Sequence, residues 1–288
     1  MSSRRCALIL PGLWLVLFLS AVQAQQPPPP ASGARILLLP RRIVSGERAT
    51  LAVLDTNGRL TPGVTVKFSN GDRLTTDASG RGLFVAPLNP GLIYASISGR
   101  PGRVATTILV PTDPGLAQAG VRSAPRLASL SDRFDILGAG FCGDADANTV
   151  NIGGLAAIVL ASSPAALVVL PPAEMDPGSA PVEITCGKNT IPSFHMTFLG
   201  LELHADSSPL AGGEHRRLTV SVTGTTAKIS LEAKNLAPEI ADLVGGNLVR
   251  HLSSGGADNN ARFEVVGRKR GSFLISIRLL TVLARPTP

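Results

Sequence analysis

Short runs of alternating apolar and polar residues fill the chain, and turn residues separate these runs about every 8 to 12 positions. Residues 50–54 lead into a turn at 56–59, and residues 64–68 lead into a turn at 69–72. Each turn contains an Asn-Gly pair, which supplies the positive φ angles of a tight hairpin. Because alternate side chains lie on opposite faces of a strand, the pattern predicts an all-β chain of antiparallel sandwiches.

The alternation continues through the rest of the chain. Val182 and Ile184 lead to Cys186 with a period of two, and from about residue 199 the pattern returns at 218–222, 229–231, 263–265 and 273–279. Residues 238–252 are predicted to hold a turn or two of helix, kept short by the glycine pair at 245–246.

The N-terminal residues have the layout of a secretory signal peptide. Arg4 and Arg5 precede an apolar run from Ala7 to Leu19, and small residues surround Ala24. The run is shorter than the roughly 20 residues that span a bilayer, so cleavage after Ala24 is the favoured interpretation and a retained membrane anchor is the alternative. Residues 25–33 are predicted to form an extended, proline-rich linker.

Residues 75–85, TTDASGRGLFV, contain the spacing T-D-x-x-G-x-x-x-[FV] before a strand. This stretch resembles the invasin-type bacterial Ig-like domains, although transthyretin-like modules share the motif. The resemblance implies a bacterial Ig-like β-sandwich over residues 34–112.

Four stretches of the middle region, ILGAGF (136–141), NTVNIGGLAAIVL (148–160), SSPAALVVLPP (162–172) and PGSAPVEITC (177–186), occur in the order and spacing of IPT/TIG domains. The region resembles that Ig-like family, which implies a second immunoglobulin-like fold over residues 125–198. Residues 113–124 are then a linker, and residues 199–288 are predicted to form a third β-rich, Ig-like domain. The fold class predicted is a tandem array of Ig-like β-sandwiches after a signal peptide and a spacer.

Two cysteines, Cys142 and Cys186, remain after export to an oxidising compartment, and we predict that they form a structural disulfide. Closing a loop of about 45 residues constrains the unfolded chain by roughly 4 kcal/mol. Two unpaired buried thiols are the alternative.

Gly138, Gly140 and Gly143 have the G-x-G-x-x-G spacing of a dinucleotide-binding turn. That turn must feed a helix, and an acidic residue must follow about 20 positions later. The residues after Gly143 have no helical apolar stripe and no such acidic residue. No cofactor-binding residue is therefore assigned, and no cofactor is predicted.

Asp144, Asp146 and Asn148 resemble the opening of a calcium loop. An EF-hand needs glycine at its sixth position and glutamate at its twelfth, where Thr149 and Leu155 stand here. The interpretation is a solvated loop, with a looser calcium site at Asp144 and Asp146 as the alternative.

Nothing in the chain has the spacing of a catalytic or metal site. The four histidines lack zinc-ligand spacing, and no nucleophile elbow or phosphate-binding loop is present. Tyr94 is the single tyrosine and the one tryptophan, Trp14, lies in the signal segment, which disfavours stacking on sugars or bases. We therefore assign no catalytic residue and no metal ligand, and we predict that the chain is not an enzyme.

The charge of the chain is modest and scattered. Removing Arg4 and Arg5 with the signal peptide leaves 25 basic and 20 acidic residues, a net charge of +5. The densest basic point, residues 268–270 between two glycines, is interpreted as a solvated hairpin tip, so no nucleic-acid partner is predicted.

These observations predict a non-catalytic, extracytoplasmic protein (secreted, periplasmic or at the cell surface) that acts as an interaction or structural module. Its expected partner is a protein or a cell-surface component, and it contacts a membrane only if the signal segment is retained. The alternatives are an accessory or regulatory subunit of an envelope enzyme complex, and a mechanical spacer with no specific partner.

The intact mass of the exported protein tests the compartment. We expect a chain that begins at Gln25 and that gains a pair of hydrogens on reduction, because Cys142 and Cys186 are joined. A full-length mass with three thiols that alkylate without reduction, those of Cys6, Cys142 and Cys186, would contradict export.

Overall fold

The computed structural model describes residues 35–111, 118–206, 208–246, 248–252, 260–280 and 283–284. The predicted signal peptide and proline-rich linker lie outside these residues. Among the described residues, no helix has the length and hydropathy that crossing a bilayer requires. Twenty-four strands and one short 3₁₀ helix, Ala145–Ala147, make up the regular structure of that part, and the all-β prediction is confirmed.

The first core lies between two β-sheet layers. Its strands are β1 (Ile36–Leu38), β2 (Arg42–Val44), β3 (Arg48–Leu54), β4 (Thr65–Phe68), β5 (Arg73–Thr75), β6 (Arg81–Val85), β7 (Gly91–Ile97) and β8 (Val104–Leu109). Strands β1, β3 and β6 form one layer, and β2, β8, β7, β4 and β5 form the other, in which β2 and β8 are parallel. Leu51, Val66 and Ile108 are buried between the layers.

The second core has the same two-layer construction. Its strands are β9 (Gly120–Pro125), β10 (Leu127–Ser129), β11 (Phe134–Ala139), β12 (Asn148–Ile152), β13 (Leu155–Ala156), β14 (Ile158–Ser163), β15 (Ala166–Leu170), β16 (Gly178–Cys186) and β17 (Asn189–His204). Ile136 and Leu167 from one layer meet Ile184 and Phe198 from the other. Strand β9 includes residues 120–124 of the predicted linker and pairs with β11.

The third core also lies between two layers. One layer consists of the end of β17, β18 (His215–Thr223), β22 (Asn260–Gly267) and β20 (Ala241–Leu243). The other consists of β21 (Leu248–Leu252), β19 (Ile229–Asn235) and β23 (Ile275–Leu279). Leu199, Leu231 and Phe263 are buried there. The last strand, β24 (Leu283–Ala284), returns to pair with β9.

Strand β17 belongs to both of the last two cores. Its first half pairs with β16, and residues 200–204 pair with β18. Phe194, Met196 and Phe198 enter the second core, whereas Leu199 enters the third. Since successive side chains point to opposite faces, the sheet changes its buried face between residues 198 and 199 without a break in the backbone. The predicted domain boundary therefore falls inside a continuous strand.

The first two cores are joined by a similar continuation. Strands β3 and β14 are neighbours in one sheet, with Thr50 opposite Ser162. On one side of this seam an apolar cluster forms, in which Leu38 and Leu54 meet Leu160 and Val168.

The structure differs from two local predictions. In the described part of residues 238–252 the chain forms a single hydrogen-bonded turn and no longer helix: the amides of Ile240 and Ala241 both donate to the carbonyl of Ala237, and β20 follows at once. The basic residues 268–270 are not a hairpin tip, because β22 and β23 belong to opposite layers of the third core. The segment between them crosses from one layer to the other.

Phe198 tests the role of the shared strand. Because its side chain is fully buried at the point where the sheet changes face, we expect Phe198→Ala to lower the free energy of unfolding by about 3–5 kcal/mol. The control, His195→Ala on the exposed face of the same strand, should change it by no more than about 0.5 kcal/mol. Equal effects in urea denaturation would contradict this description of β17.

Candidate functional site

The disulfide prediction is confirmed: Cys142 and Cys186 are bonded, with their Cα atoms 5.5 Å apart. The bond ties the turn after β11 to the end of β16. Asn148, opposite Cys186 in the β12–β16 pairing, is buried against this turn. Its side-chain oxygen accepts from the amide of Cys142 at 2.8 Å, and its amide nitrogen donates to the carbonyls of Cys142 and Asp144 at 2.9 and 2.8 Å. The turn is therefore held by a covalent bond and by an internal hydrogen-bond network.

The same turn docks on β3 of the first core. The hydroxyl of Thr50 donates to the carbonyl of Gly143 at 2.9 Å and accepts from the amide of Ala145 at 3.1 Å. A Cβ atom at Gly143 would lie 2.0 Å from the carbonyl oxygen of Arg48. Glycine is required at this position because the two backbones are in contact, so the glycine-rich turn serves packing between the cores.

The two aspartates of the predicted calcium alternative have structural partners. Asp144 accepts from the amide of Asp146 and caps the 3₁₀ helix. Asp146 forms an ion pair with Arg81 of β6 at 3.1 Å, and the same guanidinium donates to the carbonyl of Val159 at 2.8 Å. Within the described residues, no three His, Cys, Asp or Glu side chains are grouped to share a metal ion.

The motif that resembles invasin-type domains forms the turn that places Arg81. The carboxylate of Asp77 accepts from the hydroxyl and amide of Ser79 and from the amide of Arg81. These hydrogen bonds, chiefly that from the Ser79 hydroxyl, lower the pKa of Asp77. The turn brings Arg81 to the contact between the first two cores.

The strongest candidate for a binding site is a cleft of about 620 Å³ at one side of the third core. Buried Leu218 and Val265 form its floor. Its walls include Leu203, Phe273 and Leu274, which are 53%, 38% and 47% exposed. The sandwich is thus open between β17 and β23, and apolar side chains that a closed sandwich would bury face solvent there.

Cationic residues border this apolar cleft. Arg216 is largely buried and is held by Glu214 at 2.9 Å and by the carbonyl of Asp206 at 3.2 Å. Hydrogen bonds from the amide of Ala211 and from Arg216 lower the pKa of Glu214. Lys269 and Arg270, by contrast, are exposed, and within the described part of the chain neither forms an ion pair. The site therefore offers an apolar floor and two available positive charges.

The alternation pattern did not predict this cleft. The pattern predicted one strand over residues 273–279, whereas β23 begins at Ile275. Gly271 marks the difference: its φ is +151°, and a Cβ atom there would lie 2.7 Å from the Ile240 side chain. The adjacent pair Phe273-Leu274 was a usable signal that one large apolar side chain is exposed here, since two successive residues of a strand cannot both point into the same core.

No protein-family model and no curated protein sequence matches the chain. Three solved structures that resemble it are those of SGBP-B from the Bacteroides ovatus mixed-linkage glucan utilization locus in complex with mixed-linkage heptasaccharide, surface layer protein SbsC domains 1–6, and Sidekick-1 immunoglobulin domains 1–4. Their sequence identities are 13%, 14% and 13%, and their TM-scores are 0.29, 0.21 and 0.25. The alignments cover 85%, 85% and 86% of this chain, and 73%, 38% and 75% of those chains. Scores this low carry no argument about function, and the IPT/TIG and invasin-type resemblances stay predictions.

Gly143 tests the contact between the first two cores. Because a side chain there would overlap the backbone of β3, we expect Gly143→Ala to lower the free energy of unfolding by about 1–3 kcal/mol. It should also raise hydrogen exchange in both the turn at 142–148 and β3. The control, Gly120→Ala, adds a Cβ atom with no neighbour within 4 Å and should leave both measurements unchanged. Normal exchange in β3 of the Gly143 variant would contradict the contact.

Proposed function

We propose that the chain is a non-catalytic, exported interaction module and that it binds its partner at the cleft of the third core. The observation that carries this proposal is the open side of that sandwich, where an apolar floor lies beside two cations that form no ion pair with any residue the structure describes. Concave sites of this kind, with a few polar groups around an apolar floor, are the usual form of a binding site. The Cys142–Cys186 disulfide supports a location outside the cytoplasm.

In the proposed organisation, the three predicted Ig-like domains, 34–112, 125–198 and 199–288, are joined into one support that holds the cleft. Strand β17 links the third core to the second, and the docked turn at Gly143 links the second to the first. Binding sites on a rigid support retain more of their affinity, because fewer groups must be ordered on association.

Two exposed histidines with side-chain partners lie outside the cleft. His215 lies 2.9 Å from Glu264, and His251 lies 2.7 Å from the hydroxyl of Ser230. Neither histidine lines the cleft. Of the residues that line it, Ser208 donates its hydroxyl to the carboxylate of Asp206 at 2.9 Å. The pKa of that carboxyl is lowered, chiefly by the hydrogen bond from the amide of Ser208, which stabilises the carboxylate as an acceptor in this turn.

The accessory-subunit alternative places the same cleft against an envelope enzyme. In that case the partner is an enzyme whose activity changes when this chain is removed. Mechanical spacing predicts no partner at the cleft.

Position-dependent photocrosslinking in living cells tests the binding proposal. A benzophenone side chain at Ser272, on the cleft, should yield a discrete crosslinked species, because a partner seated there lies within its reach. The same group at Lys188, in the exposed turn before β17, is the control and should yield none. Absence of a species from Ser272, or the same species from both positions, would contradict the proposal.

A further inference from the structure

We infer that the partner of the cleft is an extended peptide segment, apolar on one face and acidic at one end, that adds as a strand to the open edge of β23. This inference rests on the proposed function of the cleft and names the chemical class of its partner. Strand addition recognises a partner through main-chain hydrogen bonds, and pockets beside the edge select its alternate side chains.

The first support is the backbone of β23, which has one edge available. In the described part of the chain, β23 pairs with β19 alone. The amide of Leu280 donates to the carbonyl of Ser230 at 2.8 Å, and the carbonyl of Leu274 accepts from Leu236 at 3.0 Å. Because antiparallel bonds alternate along a strand, the even-numbered residues of this segment bond to β19. The amides and carbonyls of Ile275 and Ile277 therefore point to the open edge.

The second support is the position of that edge beside the cleft. Ile275 lines the cleft, and Phe273 and Leu274 precede it on the same wall. Leu203 on the opposite wall belongs to the end of β17, where residues 201–204 pair only with β18 among the described strands. The gap is thus bounded by two strand edges. A peptide strand placed in it gains main-chain hydrogen bonds and covers the apolar floor at once.

The third support is charge. Lys269 and Arg270 precede the open edge and form no ion pair within the described residues. A carboxylate on the incoming segment finds complementary charges there, whereas a basic segment is repelled. A lipid tail would use the apolar floor but would leave the amides of Ile275 and Ile277 without a protein partner. The observations therefore favour a peptide over a membrane surface.

Selection from a phage-displayed library of unbiased ten-residue peptides, with the purified mature chain as target, tests the inference. We expect enriched peptides to alternate apolar residues and to carry Asp or Glu at one end. Synthetic versions should protect the amides of Ile275 and Ile277 from hydrogen exchange. Methylating every second backbone nitrogen of a selected peptide should abolish binding when the methylated amides are those that face β23. Methylating the amides between them should be tolerated, because a strand uses every second amide at one edge.

Charge variants distinguish binding at the cleft from nonspecific electrostatic attraction of an acidic peptide to a basic protein. Reversing both rim charges, Lys269→Glu with Arg270→Glu, should weaken binding of a selected acidic peptide by about tenfold or more. Arg59→Glu with Lys188→Glu makes the same change in net charge at exposed positions outside the cleft and should leave affinity unchanged.

Four results would overturn the inference: no enriched peptide, enrichment of basic peptides, protection of a different edge, or vesicles of phosphatidylglycerol that occupy the cleft in competition. A crosslink from Ser272 together with a failed selection would retain the binding role and exclude the peptide class. Loss of both would remove the proposed function itself.

Discussion

The rest of the structure depends on the continuity of its β-sheets across three apolar cores. In β17 the buried face changes from Phe198 to Leu199 while the hydrogen-bonded ladder continues from β16 to β18. A flexible linker would leave each core free to rotate. A shared strand fixes the second and third cores through backbone bonds that cannot move without breaking the sheet.

The first core is fixed to the second by the pairing of β3 with β14 and also by close packing of a turn. The disulfide and Asn148 hold the turn, Gly143 lets it approach β3, and the ion pair of Arg81 with Asp146 lies beside it. The exposed carboxylate of Asp146 makes that ion pair worth little alone. Backbone contact and apolar burial contribute more to the stability of the contact between the first two cores. Together they give the cleft of the third core an extended support.

Much of this arrangement could be predicted from the sequence, because it follows from local patterns. Alternation predicted the strands, the cysteine count predicted the disulfide, and the adjacent apolar pair Phe198-Leu199 coincides with the predicted boundary. For the cleft, the adjacent pair Phe273-Leu274 was a local signal, but its position could not be predicted. The position of the cleft depends on the layer to which β23 belongs and on the turn at Gly271, and both are determined by contacts between residues far apart in the chain. The turn or two of helix predicted within residues 238–252 is limited to one turn for a related reason: from Ala241 onward the pairing of β20 with β22 outweighs the local preference.

The central claim, that the three cores form one support, is tested most directly by a distance measurement between spin labels. Labels at Arg59→Cys in the first core and Lys228→Cys in the third, with the native disulfide intact, report whether the cores move relative to one another. Pulsed dipolar spectroscopy should give a single narrow distance distribution. A broad or bimodal distribution in the doubly labelled chain would show that the cores move independently, and it would contradict the account.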